Sequence, residues 1–257
     1  MRKWNRLQRQ VFHDRIAPQP IPWQVHFEAK GRRSWSLLGL RERFHCGGTI
    51  LSPNHILTAA HCVEGVLVDH IKIVAGSTLM QSSKQDWYRQ ERNVQGVIKH
   101  ENFNDDSPFV DDDDDIAILK LETPLIFNAY VQNACLPESD EDLYRQTCFF
   151  SGWGRTETNR NPNQLRWDEG MVESEIQCKY AYWDKYGTFN TPNNLICMLE
   201  ASCEGDSGGP TVCPDRDGNA VLQGITSFGS TDKCKKGTYT FYTKVSKYLD
   251  WIKRNMN

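Results

Sequence analysis

Ser202-Cys203-Glu204-Gly205-Asp206-Ser207-Gly208-Gly209-Pro210 sets one serine hydroxyl among three glycines. Glycine admits backbone conformations that a Cβ forbids, and it lets a substrate lie close to the main chain. In such a turn a hydroxyl can project outward while backbone N–H groups point the same way. A nucleophile for acyl transfer needs that layout, because the oxyanion that develops must meet donors already in place. Here the donors would be the amides of Gly205 and Ser207. A glycine turn beside a disulfide has the same composition, so the stretch has to be weighed with residues elsewhere in the chain.

Two such residues stand out. His61 lies in Leu57-Thr58-Ala59-Ala60-His61-Cys62, and Cys46-Gly47-Gly48 precedes it. A short disulfide loop there would hold the imidazole rigidly. Asp115 leads directly into the apolar run Ile116-Ala117-Ile118-Leu119. A carboxylate buried at a strand start can accept from one ring nitrogen and fix the tautomer, which leaves the other nitrogen to take a serine proton.

With TAAHC, DIAIL and GDSGGP in the order His-Asp-Ser, the chain resembles the chymotrypsin-like (trypsin-fold) serine proteases. The likeness runs from Pro22-Trp23-Gln24-Val25 to Tyr248-Leu249-Asp250-Trp251-Ile252. It implies an all-β protein of two six-stranded antiparallel barrels, about 23–137 and 146–244, with a C-terminal helix over about 246–255. The cleft lies between the barrels, with His61 and Asp115 from the first and Ser207 from the second. The implied activity is hydrolysis of peptide bonds through an acyl-enzyme, with no cofactor. The implied partners are a protein or peptide substrate and protein inhibitors. A non-catalytic homologue that binds partners through the same surface is the competing reading.

Composition bounds these readings. The chain has 257 residues, of which 39% are hydrophobic, enough for a sizeable core. A net charge of −3 gives no argument for nucleic acid. No run approaches the ~20 apolar residues that span a bilayer. The region after Met1 has no apolar signal-peptide core. Nine cysteines nevertheless argue for an oxidising, extracellular compartment, so a longer secreted precursor is expected.

Spacing alone cannot pair cysteines. The resemblance implies Cys46–Cys62, Cys148–Cys213, Cys178–Cys197 and Cys203–Cys234. Cys135 is left over, either as a free thiol or bonded to a partner outside this sequence. Residues 1–15 carry Arg2, Lys3, Arg6, Arg9 and Arg15 against Asp14, and read as a propeptide or linker before a protease domain over 16–257. By resemblance, cleavage between Arg15 and Ile16 would free an ammonium to pair with Asp206 and order the Gly205 N–H. Ile16-Ala17-Pro18-Gln19 departs from the usual Ile-Val-Gly-Gly, and the tract up to Pro22-Trp23 is short.

From Trp23 onward, short β-branched and aromatic runs alternate with turn residues, the pattern of an all-β protein. Val245, Leu249 and Ile252 recur at helical spacing, with Ser246 placed to cap. Glu28–Phe44 reads as a long solvated loop or a basic exosite, with Lys30, Arg32, Arg33, Arg41 and Arg43. In the run Asp111–Asp115, the first four aspartates read as a repelling, solvated loop. The acidic ligands of the family's calcium loop are not evident near Gly76-Ser77, and no metal is expected. The resemblance puts Ala201 at the base of the specificity pocket, with Ser227, Gly229 and Thr240 along its walls. Without a carboxylate at the base, cleavage after an uncharged residue follows, unless Glu200 turns inward.

Overall fold

The structure is a computed structural model that describes residues 15–31, 42–81, 87–104, 114–156, 162–200, 202–229 and 237–256. A two-residue strand, β1 (Arg15–Ile16), belongs to the second half of the molecule. The strands β2 (Gln24–Gly31), β3 (Glu42–Ser52), β4 (His55–Thr58), β5 (Val66–Ala75), β6 (Gln90–Lys99) and β7 (Ala117–Leu121) follow. They close an antiparallel barrel in the order β2-β3-β4-β7-β6-β5.

Period-two burial drives that closure. On β2, Val25, Phe27 and Ala29 turn inward and are at most 1% exposed, and they meet Ile50, Ile56, Leu57, Ile73 and Leu119 in one core. The start of the opposite face of β2, Gln24 and His26, is buried as well, because it packs on the second half. There, Ser151 Oγ donates to Gln24 Oε1 at 2.6 Å. β2 and β3 pair from Gln24↔Thr49 out to Gly31↔Glu42, so the ends of the expected Glu28–Phe44 loop are strand. Its remaining residues, 32–41, lie outside the described residues.

The second sheet contains β8 (Thr147–Gly152), β9 (Arg166–Met171), β10 (Leu195–Glu200), β11 (Pro210–Pro214), β12 (Ala220–Gly229) and β13 (Thr238–Lys244). Its order is β1-β9-β8-β11-β12-β13-β10. Here the expected second barrel is a curved sheet of six long strands with β1 on its edge. Its two ends meet at a single bridge, Val172↔Met198, rather than along a full ladder.

Two helices complete the fold. α1 (Glu175–Tyr186) buries Cys178, Ala181 and Tyr182. Ser174 Oγ accepts the Gln177 N–H at its start, and Gly187 ends it at φ +68°. Those are ordinary start and stop signals, and the strand pattern on either side obscured them. The tail forms a 3-10 turn over Val245–Tyr248 and then α2 (Leu249–Asn255). Ser246 does not cap α2. Its hydroxyl donates to Asp140 Oδ1 at 2.8 Å, and Asp140 also pairs with Lys244 and Lys247.

Candidate active site

His61 sits in a 3-10 turn, Ala60–Cys62, directly after β4, and the Cys46–Cys62 disulfide ties that turn to β3. Asp115 precedes β7 and is wholly buried. Four donors meet it. His61 Nδ1 donates to Oδ2 at 2.7 Å, and the His61 backbone N–H donates to Oδ1 at 2.9 Å. Ser227 Oγ donates to Oδ2 at 2.6 Å, and Thr243 Oγ1 donates to the Asp115 carbonyl at 2.9 Å. Two of these donors come from the barrel and two from the second sheet.

Burial pushes the Asp115 carboxyl up. The His61 imidazole beside it, with the hydrogen bonds from that ring, from Ser227 and from the His61 backbone, outweighs burial and holds it below the usual carboxylate range. The carboxylate therefore stays ionised and fixes the proton of His61 on Nδ1, with Nε2 left to accept. Cys46 and Cys62 lie near His61 but are joined to each other, so they offer no thiolate to a metal.

Ser207 comes to the same place through its main chain. Its carbonyl accepts the Gly47 N–H at 2.7 Å, and Gly208 N–H donates to Thr226 O at 2.8 Å. Gly208 has φ +76°, and a Cβ there would lie 2.2 Å from Thr58 Oγ1 and 2.7 Å from Gly47 O. Only glycine fits between the serine turn and the end of β4, which leads into the His61 turn. Across Gly205–Gly209, the amides of Asp206, Gly208 and Gly209 are committed to Cys203 O, Thr226 O and Asp206 O, at 2.8–2.9 Å. Among the described residues, those of Gly205 and Ser207 have no partner.

Asp206 turns away from Ser207. Its Oδ1 accepts the Gly154 N–H at 2.8 Å and its Oδ2 accepts the Cys203 N–H at 3.0 Å. A Cβ on Gly154 would stand 2.3–2.6 Å from that carboxylate, so the turn after β8 must carry glycine there. Ile16 is elsewhere. It pairs with Arg166, which pairs with Gly152, and Ala17 N–H donates to Leu165 O at 2.8 Å. Two strand spacings, about 10 Å, separate Ile16 from the Gly152 main chain beside Asp206. In the intact chain Arg15 is stacked 4.5 Å over Trp167 and paired with Glu169.

Ala201 lies outside the described residues. Thr240 is buried, and its hydroxyl has no hydrogen-bond partner among the described residues. The hydroxyl of Ser227 is committed to Asp115. Gly229 ends β12, and its carbonyl accepts Lys185 Nζ at 2.8 Å. Lys185 also lies 4.6 Å over Phe228, a contact that the sequence reading missed because α1 was not anticipated.

The structure contains the disulfides Cys46–Cys62, Cys148–Cys213 and Cys178–Cys197. Cys203 is disulfide-bonded, and its expected partner Cys234 lies outside the described residues. Cys135 is a free, half-buried thiol whose pKa is raised by burial and by the nearby Asp215.

A closed barrel and a curved sheet, meeting where His61, Asp115 and the Ser207 turn converge, define a trypsin-fold serine protease. A sequence profile of the trypsin family matches residues 10–252, and the chain belongs to that family. It is 35% identical to isozyme C of the fibrinolytic enzyme of Lumbricus rubellus over 249 residues, covering 93% of this chain and 96% of that protein. It is 33% identical to chymotrypsin-C of Bos taurus, covering 93% of this chain and 85% of that one. It is also 33% identical to human chymotrypsin-like elastase family member 1, covering 86% and 88%. The chain is a serine endopeptidase by this kinship. No described helix is long and apolar enough to cross a membrane.

Proposed function

We propose that the chain is a secreted serine endopeptidase whose nucleophile is Ser207, with His61 as general base and Asp115 as its orienting acid. The observation that carries the reading is the set of groups left without a partner among the described residues beside a fully committed Asp115: the Ser207 hydroxyl and the amides of Gly205 and Ser207. Ser207 Oγ adds to the scissile carbonyl carbon as its proton passes to His61 Nε2. The carbonyl oxygen becomes an oxyanion and takes the two amides. Collapse expels the amine, which receives the proton from His61, and leaves an ester on Ser207. A water molecule, deprotonated by the same nitrogen, hydrolyses that ester.

Compartment and specificity belong to the same proposal. Disulfide cross-links persist in an oxidising environment and support secretion. For specificity, the family resemblance puts Ala201 at the base of the pocket and Thr240 along its wall. An arginine entering there would lose its hydration without gaining a buried carboxylate, whereas an uncharged side chain loses nothing comparable. Activation at Arg15–Ile16 would require β1 to leave β9 and carry the new ammonium across a neighbouring strand to Asp206.

Labelling with a fluorophosphonate after mild proteolytic treatment tests the reading. Wild type should take the probe and Ser207→Ala should not. A peptide library should show cleavage after uncharged residues. Absence of label on treated wild type would establish the binding-only homologue instead. Cleavage after Arg or Lys that collapses in Glu200→Gln would place a carboxylate in the pocket.

A further inference from the structure

Asp114 stands immediately before the buried acid, at the end of the run Asp111–Asp115. It is not a solvated loop residue. Its φ is +60°, a left-handed conformation that aspartate tolerates and most side chains resist. Its Oδ1 accepts the Tyr248 hydroxyl at 2.7 Å, and Asn194 Nδ2 donates to that same hydroxyl oxygen at 2.5 Å. His100 Nδ1 lies 3.8 Å from its Oδ2. Tyr248 is itself buried, and the His100 ring packs edge-on against it at 5.3 Å.

The backbone around Asp115 is fixed from the same side. Ile116 N–H donates to Asp114 O at 2.8 Å, which folds the chain into a tight turn centred on Asp115. His100 N–H donates to Ile116 O at 3.0 Å. This turn presents the Asp115 carboxylate to the His61 turn while Ile116 enters the barrel. Strain of this kind persists where surrounding contacts over-determine it, and it gathers at functional sites.

We propose that Asp114 is the positioning residue of the triad acid. Tyr248 and Asn194, both from the second half, hold its carboxylate, and the left-handed backbone that results aims Asp115 at His61 Nδ1. The proposal rests on the reading of Asp115 as the acid of a working triad. Its content is separate: the hydrogen-bond acceptor at Asp114, rather than its charge or the mere tolerance of φ +60°, sets the geometry.

Two substitutions divide these causes. Asp114→Gly adopts the left-handed conformation without strain but loses the acceptor. Asp114→Asn keeps an acceptor and loses the charge. Asp114→Gly should lower kcat by about 10- to 100-fold while KM stays within about threefold, the signature of misplaced chemistry rather than lost binding. Asp114→Asn should restore most of kcat. The far-downfield proton resonance of the His61–Asp115 hydrogen bond should be lost or displaced in Asp114→Gly and kept in Asp114→Asn, whatever the turnover. Tyr248→Phe should resemble the glycine variant in milder form. A labelled wild type together with an Asp114→Gly that turns over normally and keeps the resonance would overturn the positioning role alone. An Asp114→Asn as slow as Asp114→Gly would overturn it too. A wild type that takes no fluorophosphonate would overturn the triad reading, and this proposal with it.

Discussion

His26 should make the protein unstable in mild acid. It lies on the outward face of β2, where the barrel meets the second sheet, and is 2% exposed. Its ring stacks on His45 at 4.9 Å and meets Trp153 edge-on at 5.4 Å, and neither ring nitrogen has a hydrogen-bond partner among the described residues. Burial, then the charges of His45 and Arg89, lower its pKa from 6.5 to about 3. The folded protein thus refuses a proton that the unfolded chain accepts. Stability is full above pH 6.5 and falls as pH drops from 6.5 toward 3. The slope is about 1.4 kcal/mol per pH unit, so roughly 2 kcal/mol should be gone at pH 5. His26→Phe keeps a ring in the stack and cannot titrate. Urea unfolding at pH 7 and pH 5, at constant ionic strength and with disulfides intact, should show a loss for wild type larger by that amount than for the variant. Equal losses in the two proteins would refute the reasoning.

Three further outcomes are expected. Ser227→Ala removes one hydrogen bond to a buried carboxylate, which should cost about 1.5–3 kcal/mol in urea unfolding and lower kcat/KM by at least about tenfold. Gly154→Ala puts a methyl group 2.3–2.6 Å from the Asp206 carboxylate. It should cost about 1–3 kcal/mol in unfolding experiments and depress fluorophosphonate labelling by disturbing the Gly205 turn. Alkylation of the native protein without reductant should modify Cys135 and no other cysteine, read by peptide mapping.

Short motifs were legible because their residues do the bonding themselves. Ser202–Pro210 named its own glycines, and Asp115 declared itself by leading into Ile116-Ala117-Ile118-Leu119. What could not be read was contact across long stretches of chain. Nothing near Asp115 in sequence announces Ser227 or Thr243, which donate to it from more than one hundred residues away. Asp114 was read as solvated because a run of aspartates has no local sign of a buried tyrosine hydroxyl waiting for one of them. α1 was missed although Ser174 and Gly187 bracket it, since its buried face is only Cys178, Ala181 and Tyr182. Thr240 could be placed by homology at the pocket, but the orphaned state of its hydroxyl depends on packing.

The two halves of the fold are not independent supports for the candidate site. Asp115 belongs to the barrel by sequence, yet its acceptors are half filled by the second sheet through Ser227 and Thr243. Ser207 belongs to the second sheet, yet its carbonyl is held by Gly47 of β3, and Gly208 is wedged against Thr58 of β4. Each half therefore finishes the partner's part of the site, and the same interface buries His26 and the Ser151–Gln24 hydrogen bond. A small displacement of one half on the other would loosen Asp115 and shift Ser207 together. Catalysis suffers from misplacements of about 1 Å, whereas folding tolerates them. A proton forced onto His26 would strain this seam, so wild type should lose turnover at milder acidity than it loses global structure. Protonation of the general base His61 lowers kcat in acid for wild type and His26→Phe alike, so the seam's share is the additional acid-side fall that wild type shows over His26→Phe. Parallel pH titrations of turnover and of the urea midpoint would measure the gap, and coincident curves for wild type and His26→Phe would show that the seam does not couple the two halves.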